Sequence, residues 1–250
     1  MMNIQDIQTV FEENADHEKG KKDSAYLRNL YPCYGLKNSP ERRKLIKPFW
    51  DELSSPINWG FINDCWEAEM REMQAVAIDY LLRKKAQLTK ADIPALQKLA
   101  QSKPWWDSVD MLAEIIDDVV LVDETLKPLM LEWSTHDDFW LRRIAIQHQL
   151  YYREKTDPDL LAQIIKNQFG EKERSSPSVD GRNQEQNRAF FIHKSIGWAL
   201  REYAKTNPNW VLNFIEENRS NLSKLAIREG MKHLKAGKTS VKLTTETLEV

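Results

Sequence analysis

Leu141-Arg142-Arg143-Ile144-Ala145-Ile146 lies inside a long amphipathic stretch, and two other segments echo it: Met73-Gln74-Ala75-Val76-Ala77-Ile78 and Ile192-His193-Lys194-Ser195-Ile196-Gly197. Each opens on an apolar residue, continues through basic or polar residues and closes on small and branched ones. Ala or Gly therefore falls where a second helix packs closest. Helical pairs that recur in this way indicate an all-α, HEAT-like helical repeat solenoid, an α-α superhelix whose inner helices line a concave groove. The interval between the echoes is irregular.

Working outward, apolar spacing of 3.6 residues broken by short Pro, Asn, Ser or Asp punctuation predicts a succession of helices. They fall near Ile4 to Asn14, Ser24 to Tyr34, Pro40 to Leu53, Asn58 to Cys65, Glu67 to Ala86, Lys90 to Gln101 and Trp105 to Val119. More follow near Glu124 to Ser134, Phe139 to Lys155, Pro158 to Phe169, Arg188 to Lys205, Pro208 to Asn218 and Leu222 to Lys235. No long stretch reads as strand. With 250 residues, 41% of them hydrophobic and only 8 glycines, the chain can bury a substantial helical core. We expect one repeat domain over residues 1–238, a polar insertion loop at 170–187 and a flexible tail at 239–250. The loop has no apolar period, and its length is that of a functional segment or an inert insertion.

Cys33 and Cys65 form no metal-ligand spacing and suggest reduced thiols in a cytoplasmic protein. The first residues lack the basic start and apolar run of a signal peptide, and no apolar stretch is long enough to span a membrane. A net charge of -2 speaks against a generally basic nucleic-acid binder, but the charge is segregated. Between Arg219 and Lys242 seven cations face the single acid Glu229. Between Asp107 and Asp138 acids dominate. Such segregation can make one face receptive to a polyanion, or can mark the solvated faces of helices.

Two constellations carry chemistry. In Lys103-Pro104-Trp105-Trp106-Asp107-Ser108-Val109-Asp110, Trp106 and Asp110 stand four apart and share a helix face. A ring beside a carboxylate attracts a cation twice, through the ring quadrupole and through Coulomb attraction. The same residues also suit a core Trp pair and an Asp that complements the helix dipole. In the second constellation, helical spacing puts Phe191, Lys194, Trp198 and Arg201 on one face. Interleaved rings and cations suit a groove for phosphates, sugars and bases, or a core stripe with solvated charges.

The Trp105 to Asp110 motif, the segment Trp140 to Ile146, Phe190-Phe191-Ile192, and Ile196 to Pro208 closely resemble the AlkD-like DNA alkylation repair proteins. Ala25-Tyr26 through Gly35 and Pro40-Glu41-Arg42-Arg43 are similar to the family's N-terminal region, so the resemblance spans roughly residues 20 to 235. It implies a HEAT-like DNA glycosylase that excises positively charged N3- and N7-alkylated purines, such as 3-methyladenine and 7-methylguanine, from duplex DNA without enclosing a flipped base. By the resemblance, Trp106 and Trp198 flank the lesion deoxyribose and Asp110 stabilises developing positive charge and positions water. Arg143 holds a backbone phosphate, and Tyr26 lies in the same cleft. Phe190, Phe191, Lys194 and Arg201 complete the expected DNA contacts. The expectation includes no metal, no cofactor, no membrane partner and a monomer. His193 stands where a permanently charged residue would make a steadier phosphate contact. The alternative is a non-catalytic HEAT-like scaffold that binds DNA structure or protein; the presence of both Trp106 and Asp110 argues against it.

Overall fold

The computed structural model describes residues 3–36, 39–51, 54–170, 184–232 and 234. Thirteen α-helices and no strand occur among them. The expected all-α helical repeat is what the chain forms. It divides after His148 into two compact units.

The first unit begins with α1 (Ile4–Glu13), α2 (His17–Tyr26) and α3 (Ser39–Ile46). Three helix pairs follow: α4 (Trp59–Glu67) with α5 (Arg71–Lys84), α6 (Ile93–Gln101) with α7 (Trp106–Val122), and α8 (Lys127–Trp133) with α9 (Phe139–Gln147). Members of each pair pack together, and the second helices also form a row, α5 on α7 and α7 on α9. Apolar faces drive this stacking: Val76, Leu81, Leu96, Leu112, Ile116, Leu141 and Ile144 are all fully buried. Polar contacts between successive pairs recur at a nearly constant offset. Trp66 Nε1 donates to the Ser102 carbonyl 36 residues on at 2.9 Å, and Gln101 Nε2 donates to Asp138 37 residues on at 3.3 Å.

The second unit contains α10 (Pro158–Lys166), α11 (Gln184–Tyr203), α12 (Pro208–Glu217) and α13 (Lys224–Gly230), with α11 packed on both α12 and α13. Most of the polar punctuation read in the sequence serves as N-caps. Asn3, Asp16, Asn58, Asp138, Asp157, Asn207 and Ser223 each accept a backbone N–H of the helix they precede.

Several predicted helices are corrected. The helix expected over Ser24 to Tyr34 is instead α2, capped by Asp16 and ending at Tyr26. Arg28 and Asn29 then take φ of 59° and 56° and turn the chain. Glu72 of α5 accepts the Tyr34 and Gly35 amides at 3.0 and 2.9 Å, holding residues 31–36 in an irregular path. Gly35 has φ of 79°, and a Cβ there would lie 2.2 Å from the Asp16 carbonyl oxygen. The predicted Phe139 to Lys155 helix stops at Gln147, where Gln149 closes a loop by accepting Asp157 N–H at 2.6 Å. Lys90 to Asp92 is a 3₁₀ turn with a Thr89–Asp92 capping box, so α6 begins at Ile93. Pro40 to Leu53 is a helix only to Ile46, followed by a 3₁₀ turn over Lys47–Phe49; Leu53 lies outside the described residues. The insertion loop expected at 170–187 is described only at Gly170 and from Gln184, where α11 already begins. The tail at 239–250 also lies outside the described residues.

Gly197 shows why a small residue stands in the third sequence echo. A Cβ built there would meet Glu229 Cβ at 2.5 Å and the Ala226 carbonyl oxygen at 3.0 Å across the α11–α13 contact. Gly to Ala inside a helix ordinarily stabilises by roughly 0.5–1 kcal/mol. At Gly197 the sign reverses: Gly197→Ala lowers stability by about 1–3 kcal/mol through overpacking. A fall in the urea midpoint checks this, and a rise would contradict the close packing.

Candidate active site

The two readings of the tryptophan pair are both realised, one by each residue. Trp105 is buried against Trp140, with ring centroids 6.0 Å apart at 61°. Trp106, the first residue of α7, turns to the surface side and meets the ring of Tyr26 edge-to-face at 5.9 Å and 89°. Tyr26 is 72% exposed, so this pair is open to a ligand. Trp105 is the N-cap, with an extended backbone (φ -156°, ψ 162°), while Trp106 is the first helical residue, so the two rings leave the chain in different directions.

Asp110 stands one turn after Trp106. Its Oδ1 accepts from Arg143 Nε at 2.7 Å and from Gln147 Nε2 at 3.2 Å, and its Oδ2 accepts from Arg143 Nη2 at 2.8 Å. Arg143 is buried and comes from α9, 33 residues along the chain. The bidentate fork fixes both carboxylate oxygens in one plane. Arg143 was expected to hold a phosphate; two of its nitrogens are engaged with Asp110.

A further clamp, which sequence reasoning missed, holds the start of α7. This helix has no side-chain N-cap hydrogen bond. Arg71 of α5 supplies the anchorage: Nε and Nη2 donate to Asp107 at 3.0 and 2.5 Å, Nη2 also to Ser108 Oγ at 2.8 Å, and Nη1 to the Lys103 carbonyl at 3.0 Å. Its guanidinium carbon lies 4.2 Å from the centroid of the Tyr31 ring, and Tyr31 donates its hydroxyl to the Pro104 carbonyl at 3.2 Å. Burial raises the Tyr31 hydroxyl above its ordinary pKa of 10.0, which keeps it a donor. The signal in the sequence was an Arg and an Asp 36 residues apart, the same interval at which the helix pairs repeat. Nearby Cys33 is free, and burial pushes its thiol up to about 12, so it is no nucleophile.

In the second unit, α11 separates its two phenylalanines. Phe190 is exposed, whereas Phe191 is buried and does not share an exposed face with Lys194 as its spacing suggested. Trp198 is half-buried. Lys194 and Arg201 both reach Glu229 of α13, at 3.1 and 3.2 Å. Glu229, which looked like an isolated acid in a basic run, is itself buried.

The chemistry available in the first unit is therefore an exposed aromatic corner, Tyr26 on Trp106, beside a carboxylate whose position is fixed from behind. The sequence profile of the DNA alkylation repair enzymes matches residues 7–234. A solved structure described as a predicted DNA alkylation repair enzyme from Enterococcus faecalis is similar with a TM-score of 0.73 and 31% identity, over 90% of this chain and 98% of that one. No curated protein matches the sequence. Among the described residues, no helix is long and apolar enough to cross a membrane.

Glu229 gives the stability of the second unit a pH dependence of defined sign. The Lys232 ammonium above all, then Lys194, holds its carboxyl below the ordinary 4.5 against the opposing effect of burial. The unfolded chain thus takes up this proton at a higher pH than the folded one. The stability Glu229 contributes is complete above about pH 4.5 and drains as pH falls through its depressed pKa. Glu229→Gln should cost about 1–3 kcal/mol at pH 7 and flatten the acid limb of stability against pH, measured by urea unfolding from pH 7 to 3.

Proposed function

The chain belongs to the DNA alkylation repair enzyme family, and from that premise we propose that it is a DNA glycosylase releasing positively charged N3- and N7-alkylated purines from duplex DNA, acting in the cytoplasm as a monomer. The observation that carries this reading is Asp110, held in one orientation by Arg143 and Gln147 one turn from Trp106 and Tyr26.

Alkylation at N3 or N7 gives the base a formal positive charge, which makes it a good leaving group. Its departure leaves an oxocarbenium-like deoxyribose. Both states are cationic, and the corner offers groups suited to each. The faces of Trp106 and Tyr26 stabilise a cation by their quadrupoles. Asp110 places negative charge where positive charge grows at the sugar, without reorganising during the reaction, because its position is already set. The same carboxylate can accept a hydrogen bond from the attacking water. We assign Arg143 first to orienting Asp110. For Trp198 the reading rests on the resemblance, which gives it the deoxyribose as a neighbour. Selectivity by charge and lability of the lesion needs no enclosing base pocket, which admits bulky adducts as well as methyl groups.

The test is release of 7-methylguanine and 3-methyladenine from methylated duplex DNA by the purified protein. Asp110→Asn should lower the single-turnover rate by about 100-fold or more, in the range of losing a preorganised electrostatic group, with duplex affinity changed little. Trp106→Ala should lower it by a smaller factor. A protein that binds duplex but releases nothing is a binding module instead, and one that neither binds nor releases defeats the DNA reading altogether.

A further inference from the structure

Three cations converge on a single oxygen atom in the second unit. Glu229 Oε2 accepts from Lys232 Nζ at 2.7 Å and from Arg201 Nη1 at 3.2 Å, and Lys194 Nζ lies 3.1 Å from it. Arg228 Nη2 stands 3.9 Å from the other oxygen, Oε1. The Glu229 side chain is only 3% exposed, whereas Lys194 is 39%, Lys232 49% and Arg228 70% exposed. The anion is inside and the cations open outward.

We propose that Glu229 gathers Lys194, Arg201 and Lys232, with Arg228 at the edge, into a seat for a backbone phosphodiester of duplex DNA. The proposal rests on the DNA-repair reading above and adds to it a positioning carboxylate and two phosphate contacts, Lys232 and Arg228.

The charge balance favours an external anion. One carboxylate neutralises one cation, yet three sit within hydrogen-bonding distance of Oε2 or close to it. Glu202 offers little further compensation, since Lys205, in the turn just after α11, bonds to it at 2.5 Å while Arg201 Nε is 3.7 Å away. His193 is the remaining titratable group of α11 near Lys194 in sequence, and it adds no negative charge. An ammonium has three donors and a guanidinium five, so each cation that reaches Glu229 keeps donors to spare. The arrangement is also built into the helix contact. With no Cβ at Gly197, α13 comes close enough for Glu229 to pass beneath α11. Without the central anion, mutual repulsion would drive the flexible lysines apart into solvent. Gathered, they present converging donors of the kind a phosphate accepts.

This leads to a test in which simple Coulomb reasoning gives the opposite answer. Removing a negative charge from a DNA-binding face ordinarily tightens binding. Here Glu229→Gln should weaken binding of an undamaged 20-base-pair duplex at least about fivefold, measured by fluorescence anisotropy at fixed salt, with folding verified by its melting transition. The exposed pair Arg228→Ala, Lys232→Ala should weaken it as well and make the slope of log K against log salt shallower by about 1 to 2. Tighter or unchanged binding in folded Glu229→Gln overturns the proposal. If that variant does not fold, Glu229→Asp, which keeps the charge but retracts it by one methylene, takes its place with the same expected direction. Unchanged affinity and slope in the Arg228, Lys232 double variant also overturn it. The two readings fail separately: loss of base release with binding still sensitive to Glu229 defeats only the glycosylase, whereas normal base release with binding indifferent to Glu229 defeats only the phosphate seat.

Discussion

A carboxylate placed between stacked helices loses much of its hydration, and the structure around it must return that energy through a cation in the right geometry. The first unit meets this requirement three times along its row of helices. Asp79 of α5 accepts from Arg42 and Arg43 of α3, Asp107 of α7 from Arg71 of α5, and Asp110 of α7 from Arg143 of α9. The offsets of 33 to 37 residues are those of the repeat itself. Apolar side chains of similar volume would often stabilise such contacts more. What an Arg–carboxylate fork adds is direction, because its parallel hydrogen bonds permit only a narrow range of helix rotations. In this protein that direction fixes where the start of α7 points.

The consequence reaches the candidate site through α7. Arg71 ties Asp107, Ser108 and the Lys103 carbonyl on one side of the first turn, while Arg143 and Gln147 tie Asp110 from the next helix. Trp106 stands directly before Asp107 and one turn before Asp110, and its neighbour Trp105 is buried against Trp140. The ring of Trp106 is therefore left at the surface by exclusion from the core, and Tyr26 stands at its edge. The catalytic role proposed for Asp110 needs this kind of rigidity more than it needs proximity, since a misplaced charge must reorganise as the transition state forms.

Much of this was legible in the chain. Apolar period, polar N-caps and small residues at close contacts identified the helical repeat, because each depends on neighbours within one or two turns. Gly197 was readable as a packing position from the recurrence of small residues in the echoes, although the neighbours it makes room for lie on α13. The helix misplaced over Ser24 to Tyr34 had acceptable local spacing, but what defeats it is Glu72 taking the Tyr34 and Gly35 amides from almost 40 residues away. Arg71 escaped notice because a lone basic residue near a helix start looks solvated until its distance to Asp107 is compared with the repeat length. Glu229 escaped for the converse reason. In the sequence it merely diluted a basic run, whereas across the α11–α13 contact it has three cations around one oxygen. Charges are read poorly from a sequence because their partners are set by tertiary spacing rather than by period.

Carboxylates thus organise both candidate sites, with opposite electrostatic results. Asp110 is matched by one guanidinium and one neutral amide, so the pair carries no excess positive charge toward the aromatic corner, and the rings there favour a cation. Glu229 is outnumbered, so its surroundings favour an anion. Alkylated DNA, the proposed substrate, presents both: a cationic base on a sugar that becomes cationic as the bond breaks, and phosphates that stay negative throughout. A uniformly basic surface would hold the phosphates but oppose the growing charge at the sugar. A net charge of -2, with a balanced pair at Asp110 and a cationic excess kept to the surroundings of Glu229, avoids that conflict.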